Sequence, residues 1–358
     1  MSAPSLLLEV LCQPARAGTL DLPRWDLLVR QARRAELLGH LHWLLAQEGL
    51  LPAVPPAPLV HLESARVYAR AQQRVVRWEA RCILRALAPL EIPVVFLKGA
   101  AYLLAGLPNS EGRLFSDVDI LVPRPRLEAV ERELMRHGWM STHLDAYDQR
   151  YYRTWMHELP PLRHIRRRTV LDVHHNILPD TARLHPRASR LLADAVPAGR
   201  NALVLSPPDM VLHSATHLFH DGELERGLRD LVDLDLLLRH FGTDEGFWEA
   251  LPRRAAELDL QRPLYYALRH CRRLLDTPVP SAVLEAVADA APPPPLRALM
   301  DVLFGRGLEV DHDSCRAVGD GLARWLLYMR SHYLRMPLYL LIPHLLRKAS
   351  RRRRDRGE

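Results

Sequence analysis

The feature that most constrains this chain is a switch in its apolar period. From Trp25 to about Leu90 apolar residues recur at helical spacing, as in WDLLVRQARRAELLGHLHWLLAQEGL and VYARAQQRVVRWEARCILRALAPL, with the proline-rich LPAVPPAP between them as a break. At Glu91 the pattern changes. IPVVFLKG is a short β-branched run closed by glycine, and a short helical segment, AAYLLAGL, follows it. After the polar PNSEGRLF, the segment SDVDILVP alternates and stops at Pro123 as a buried strand would. PRPRLEAVERELMRHG then predicts a helix with Leu127, Val130, Leu134 and Met135 on one face and Gly138 at its C-terminal cap. HELPPLRHI and TVLDVHHNI predict two strands joined through Arg166, Arg167 and Arg168. From Ser206, a candidate N-cap, the chain is helical again. The expected fold class is α+β: a helical lead-in (1–90), a small mixed sheet (91–200), a helical C-terminal domain (201–346) and a basic tail (347–358) expected to be disordered.

Composition narrows the function classes. A chain of 358 residues, 48% hydrophobic and 25% charged, has the make-up of a globular protein with a sizeable core. No run reaches the roughly 18 apolar residues of a membrane span, and the N-terminus lacks the basic and apolar blocks of a signal peptide. Cys12, Cys82, Cys271 and Cys315 are scattered and read as reduced, which points to a cytoplasmic protein. The net charge of +7 favours an anionic partner such as a nucleotide, RNA or acidic lipid. Five of the arginines fall in the last eight residues, so the body is only mildly basic. The C-terminal YLRMPLYLLIPHLLRKASRRRRDRGE has two readings: peripheral membrane or RNA contact, and a packed last helix with a solubilising tail. Of 49 basic residues only Lys98 and Lys348 are lysines, so Lys98, alone in the body, calls for a specific reason.

Asp-x-Asp occurs three times, and backbone geometry separates the instances. Residues i and i+2 of a strand share a face, which lets Asp117 and Asp119 grip divalent ions together. On a helix the same spacing turns the second side chain about 200° away. Asp233 and Asp235 in LVDLDLLL are therefore expected as cap or ion-pair residues, and Asp311 and Asp313 as loop residues. A two-ion Mg²⁺ site needs hard oxygen ligands from more than one strand. Asp172 in TVLDVHH is the candidate third carboxylate, with a strand-end Asp capping a turn as the alternative. His174 falls on the same face as Asp172, where it would face the substrate to orient it or tune the base.

FLKGAAYLLAGLPNSEGRLFSDVDILV, followed about fifty residues later by VLDVHH, resembles the DNA polymerase β-like nucleotidyltransferase superfamily. The closest likeness is to the bacterial uncharacterised nucleotidyltransferase family, with a distant one to AbiEii-type toxins. The resemblance implies a Mg²⁺-dependent transferase that moves a nucleoside monophosphate from an NTP to an acceptor hydroxyl on RNA, protein, peptide or a small molecule. It implies metal ligation and catalysis by Asp117, Asp119 and Asp172, a turn at Gly99 approached by phosphate, and Lys98, Arg113 and Ser116 near the nucleotide. Where the superfamily has Ser after the turn glycine, this chain has Ala100; Lys98 is the residue that would compensate. The alternative is a weak or inactive nucleotidyltransferase-fold module that binds RNA or an acidic partner.

Other constellations have bland readings beside sharp ones. His213, His217 and His220 have the i, i+4, i+7 spacing of zinc ligands, but core or surface histidines are the favoured reading. Arg166 to Arg168 form either a solvated turn or a contact for a phosphate-bearing acceptor. Arg229 and Asp233 either face the substrate or form an interhelical ion pair.

Overall fold

The computed structural model describes residues 5–142, 146–199, 201–222 and 224–337. The expected tail at 347–358, with its membrane or RNA contact, lies outside the described residues.

Among the described residues, four helices precede the sheet: α1 (Leu6–Cys12), α2 (Leu22–Arg34), α3 (Leu38–Gln47) and α4 (Pro56–Leu87). The proline-rich LPAVPPAP follows α3 as a break, but its last three residues, Pro56, Ala57 and Pro58, form the first turn of α4. The sheet region runs β1 (Val95–Leu97), α5 (Lys98–Leu104), β2 (Val118–Leu121), α6 (Leu127–Arg136), β3 (Trp139–Ser141), α7 (Ala146–Trp155), β4 (Leu162–His164), β5 (Val170–His174), α8 (Ala188–Ala193), β6 (Val196–Ala198) and β7 (Ala202–Val204). The described chain then continues through α9 (Pro207–Thr216), α10 (Gly227–Phe241), α11 (Glu245–Glu257), α12 (Gln261–Leu275), α13 (Ser281–Ala286), α14 (Pro294–Gly307) and α15 (Asp320–Arg335). This is the expected α+β class. No helix among the described residues is long and apolar enough to cross a membrane.

The strands form one mixed sheet in the order β3-β4-β5-β2-β1-β7-β6. β1 and β2 are antiparallel, while β2 and β5 run parallel at its centre. The central strands are short and apolar, with Val95, Phe96, Leu97, Ile120, Leu121, Leu171 and Val173 each fully buried. Burial on both faces explains why β1 reads as a near-continuous apolar run, while β2 and β5 keep an alternation through Asp119 and Asp172. The hairpin joining β4 to β5 turns through Arg166–Arg168, and Arg168 takes the left-handed conformation that closes it (φ 64°). On α6, Val130 and Leu134 are buried as the periodicity predicts, but Met135 is 43% exposed: at i+1 from Leu134 it falls on the edge of the apolar stripe. Gly138 follows that helix with φ 93°, a conformation glycine adopts without a Cβ penalty. Ser206 stands at the N-cap of α9 ahead of Pro207, although its side chain makes no capping bond.

Candidate active site

Pairing in the sheet assembles the acidic residues. In the parallel β2–β5 ladder Asp119 lies directly opposite Asp172, and in the antiparallel β1–β2 ladder it lies opposite Leu97, the residue before Lys98. Adjacent strands are about 4.8 Å apart, so the two carboxylates rise side by side from neighbouring strands. Asp117, two residues before Asp119, shares its face just ahead of the strand. Their charges interact: Asp117 and Asp119 both act on the Asp172 carboxyl, and Asp119 acts on Asp117.

Two cationic groups converge on Asp119, which is only 3% exposed. Lys98 Nζ donates to its Oδ1 at 3.1 Å, and His174 Nε2 stands 3.1 Å from the same oxygen. Burial opposes the charged form of Asp119, but Lys98 and His174 outweigh it and hold the carboxyl well below the usual range. Burial likewise opposes the charge on Lys98 and on His174. Asp119 with Asp117 raises the lysine, and Asp119 with Glu158 raises the imidazole. Asp172 lacks this compensation. Burial, reinforced by Asp119 and Glu158, pushes its carboxyl up to about 8, and its buried Oδ1 has no hydrogen-bond partner. Burial and Asp119 also raise Asp117, whose Oδ1 accepts a bond from Ser116 Oγ at 2.9 Å.

The turn between β1 and α5 differs from the sequence expectation in one physical respect. The left-handed residue is Lys98 (φ 46°), while Gly99 is helical and buried. Gly99 is needed for packing: a Cβ there would come within 2.9 Å of Arg113 Nε and 3.2 Å of the Phe115 ring. A non-glycine residue in the left-handed region costs roughly 1–2 kcal/mol. In that conformation the one lysine of the chain body reaches Asp119. Ala100, at the place of the superfamily's serine, is 2% exposed and packs in the core.

Arg113 pairs with Asp233 of α10, and its guanidinium lies 5.6 Å from the Tyr102 ring centroid. Asp233 is buried, and burial lifts its carboxyl to about 6 even against the pull of Arg113. Arg229 is bound by Asp230 at 2.8 Å and by Glu36 at 2.7 Å. Arg229 and Asp233 thus each form ion pairs with other residues. Asp235 likewise pairs with Arg239 at 2.7 Å.

Three residues near the carboxylates carried no sequence signal that singled them out. His157 and Glu158 are brought in by an isolated bridge of Glu158 to His174, and together with His174 they present ligand atoms within 4.8 Å of one another. Glu158 Oε2 stands 3.3 Å from His174 Nδ1, which makes a carboxylate–imidazole–carboxylate chain ending on Asp119. Arg226, just before α10, donates to Ser116 Oγ at 3.4 Å and pairs with Glu36 at 2.9 Å. The zinc spacing of His213, His217 and His220 is broken where α9 gives way to a π turn over His217–Asp221. His213 is buried, which holds its ring well below the usual histidine range.

A family profile for uncharacterised nucleotidyltransferases matches residues 21–276, and the chain belongs to that family. Nucleotidyl transfer in general is therefore the chemistry its class defines. The solution structure of the antibiotic-resistance factor ANT(2'')-Ia is similar, with 17% identity and a TM-score of 0.33 over 54% of this chain and 95% of that one. No curated protein matches the chain.

The donor set suits a hard divalent cation. Carboxylate oxygens on adjacent strands are what Mg²⁺ accepts, and a buried carboxylate oxygen without a partner gains most from one.

Proposed function

We propose that the protein is a Mg²⁺-dependent nucleotidyltransferase that moves a nucleoside monophosphate from an NTP to an acceptor hydroxyl. One observation carries the reading: Asp172 is paired side by side with Asp119 and keeps a buried, unpartnered oxygen. Asp117, Asp119 and Asp172 would hold the metal, which when bound supplies positive charge to the phosphate oxygens and the departing pyrophosphate. Burial holds a proton on Asp172 in the ion-free fold, and a bound cation would displace it, leaving a carboxylate placed to accept the proton of the acceptor hydroxyl. The acceptor oxygen then bonds to the α-phosphorus as the bond to the β-phosphate oxygen breaks. His174 positions Asp119, and Ser116 positions Asp117. Lys98, Ser116 and Arg226 are the groups best set to meet the triphosphate, while Gly99 and Arg113 shape the turn beneath it. An NTP co-substrate accords with a cytoplasmic setting.

Purified protein with Mg²⁺ and labelled NTPs should transfer label, and Asp117→Asn or Asp119→Asn should abolish transfer while leaving the protein folded. Full activity in either variant rejects the assignment.

A second reading is favoured by one contact. Lys98 Nζ, 3.1 Å from Asp119, stands where a cation would, so the site would be an internally neutralised relic within a binding module for RNA or an acidic partner. In that case neither Mg²⁺ nor any NTP raises the melting temperature, and Lys98→Ala is what creates a cation response.

A further inference from the structure

We infer that the outer face of α4 is a docking surface for a single-stranded stretch of nucleic acid, remote from the carboxylates and independent of the transfer reaction. Arg70, Arg74, Arg77, Arg81 and Arg85 follow one another at spacings of four, three, four and four residues. At 100° per residue these positions stay within one quadrant of the helix and extend over about 22 Å of its length. The buried residues Leu62, Ala69, Val76, Ala80, Ile83 and Leu87 cluster on another side, centred roughly 120° around the helix from the stripe. All five arginines are exposed, and none makes an ion pair among the described residues. The helix carries only two acids, both engaged elsewhere: Glu63 with Arg66 and His42, and Glu79 with Arg167.

A row of arginines on a chain this rich in arginine needs a second observation before it means more than a solvated face, and two are present. Trp78, flanked by Arg74, Arg81 and Arg85 at i−4, i+3 and i+7, is 52% exposed. Its ring has no aromatic or cationic partner among the described residues. Cationic side chains interleaved with an open aromatic face are what a strand of phosphates and stackable bases requires. The stripe also ends in a concavity. Arg77, Arg81 and Arg85 form one wall of a groove of about 1130 Å³ whose other side comes from Leu104 and from Asn201 in the β6–β7 turn, with Glu91 at its rim. Arg126 reaches the same end of the helix, donating to the Leu90 carbonyl at 2.9 Å. A flat anionic bilayer meets a convex helix but cannot enter such a groove, whereas a flexible strand can. The groove adjoins Val94, the residue before β1, while Lys98 follows the other end of that strand.

The test is fluorescence anisotropy with the full chain and a labelled single strand of about 16 nucleotides, as RNA and as DNA, across a salt series. Arg74→Gln/Arg77→Gln/Arg81→Gln should weaken binding more than about tenfold at low salt and flatten the log–log salt slope by about 2, at roughly 0.7 for each phosphate no longer neutralised. Trp78→Ala should weaken binding about five- to a hundredfold with the slope unchanged. Asp119→Asn should leave binding intact, which separates this surface from the proposed catalytic site. Because the altered side chains are exposed, melting temperatures should stay at the wild-type value. Tighter binding by RNA than DNA, or the reverse, names the physiological strand. The inference is overturned if wild type binds neither strand, if the triple variant binds as well as wild type, if removing residues 347–358 alone abolishes binding, or if anionic vesicles compete off the strand and Trp78→Ala has no effect.

Discussion

At the scale of single residues, the site is an imbalance of charge. Three aspartates share one end of the sheet, and the cations within it, Lys98 and a raised His174, both bind Asp119. Asp172 carries the consequence. Its carboxyl holds a proton up to about pH 8 in the fold, against an ordinary value of 3.8. A group raised in this way contributes stability below the ordinary carboxylate range, and that stability is lost as pH rises through the folded value. Ion-free protein should therefore lose stability between about pH 4 and pH 8, the interval set by the two values. Asp172→Asn removes the titrating group. In chelator near pH 9 the variant should melt a few degrees above wild type, and the gap should close as the pH falls towards 4. Adding Mg²⁺ should reverse the order at high pH, since only wild type keeps the full ligand set. A wild type that melts higher than the variant in chelator at high pH sinks this account.

At the scale of elements, the site was legible wherever one strand's alternation decided a face. SDVDILVP and TVLDVHH each gave the correct face by the period of two, and the Arg166–Arg168 turn followed from the apolar runs on either side of it. What could not be read was anything set by pairing between distant segments. β6 and β7 are three residues each and pair with each other, and β7 pairs with β1, too short for any period to register. Glu158 reaches His174 through an isolated bridge from an irregular segment. Lys98 in the left-handed region, beside a glycine that is helical, reverses the usual assignment because crowding by Arg113 and Phe115 at Gly99 is a tertiary fact. Arg113 then fastens this turn to α10. Its side chain and that of Asp233 are 10% and 8% exposed, so removing Arg113 leaves Asp233 buried without its partner. Arg113→Met should cost about 3 kcal/mol, whereas Arg113→Met/Asp233→Leu should recover most of it. Urea denaturation of the two variants decides: a single variant as stable as wild type, or a double variant no better than the single, refutes the role of this pair.

At the scale of the whole molecule, the helices before and after the sheet are joined to it by contacts that cross the sequence-based boundaries. Gly39 of α3 lies against Gly112 so closely that a methyl group on Gly39 would collide with the Gly112 carbonyl. Gln73 of α4 donates to the Ser110 carbonyl at 2.9 Å, and Gln72 accepts from the Phe115 amide at 2.8 Å. Glu36 binds both Arg226 and Arg229 ahead of and within α10, and Arg34 binds Asp311 at 2.7 Å. The loop from Pro108 to Asp117, which delivers the first site carboxylate, is thus held between α3, α4 and α10. If these contacts couple the three regions, damage to one must be felt by all. Gly39→Ala introduces a backbone collision that no side-chain rotation relieves, and overpacking of this kind costs about 3 kcal/mol. The expected outcome is a lower denaturant midpoint with a single transition, coincident by far-ultraviolet circular dichroism and by tryptophan fluorescence. Two separated transitions, with the helical signal lost before the buried Trp139 of β3 responds, would show that the helical regions unfold apart from the sheet. The site would then depend on its own strands alone, and nucleotide binding should survive the first transition.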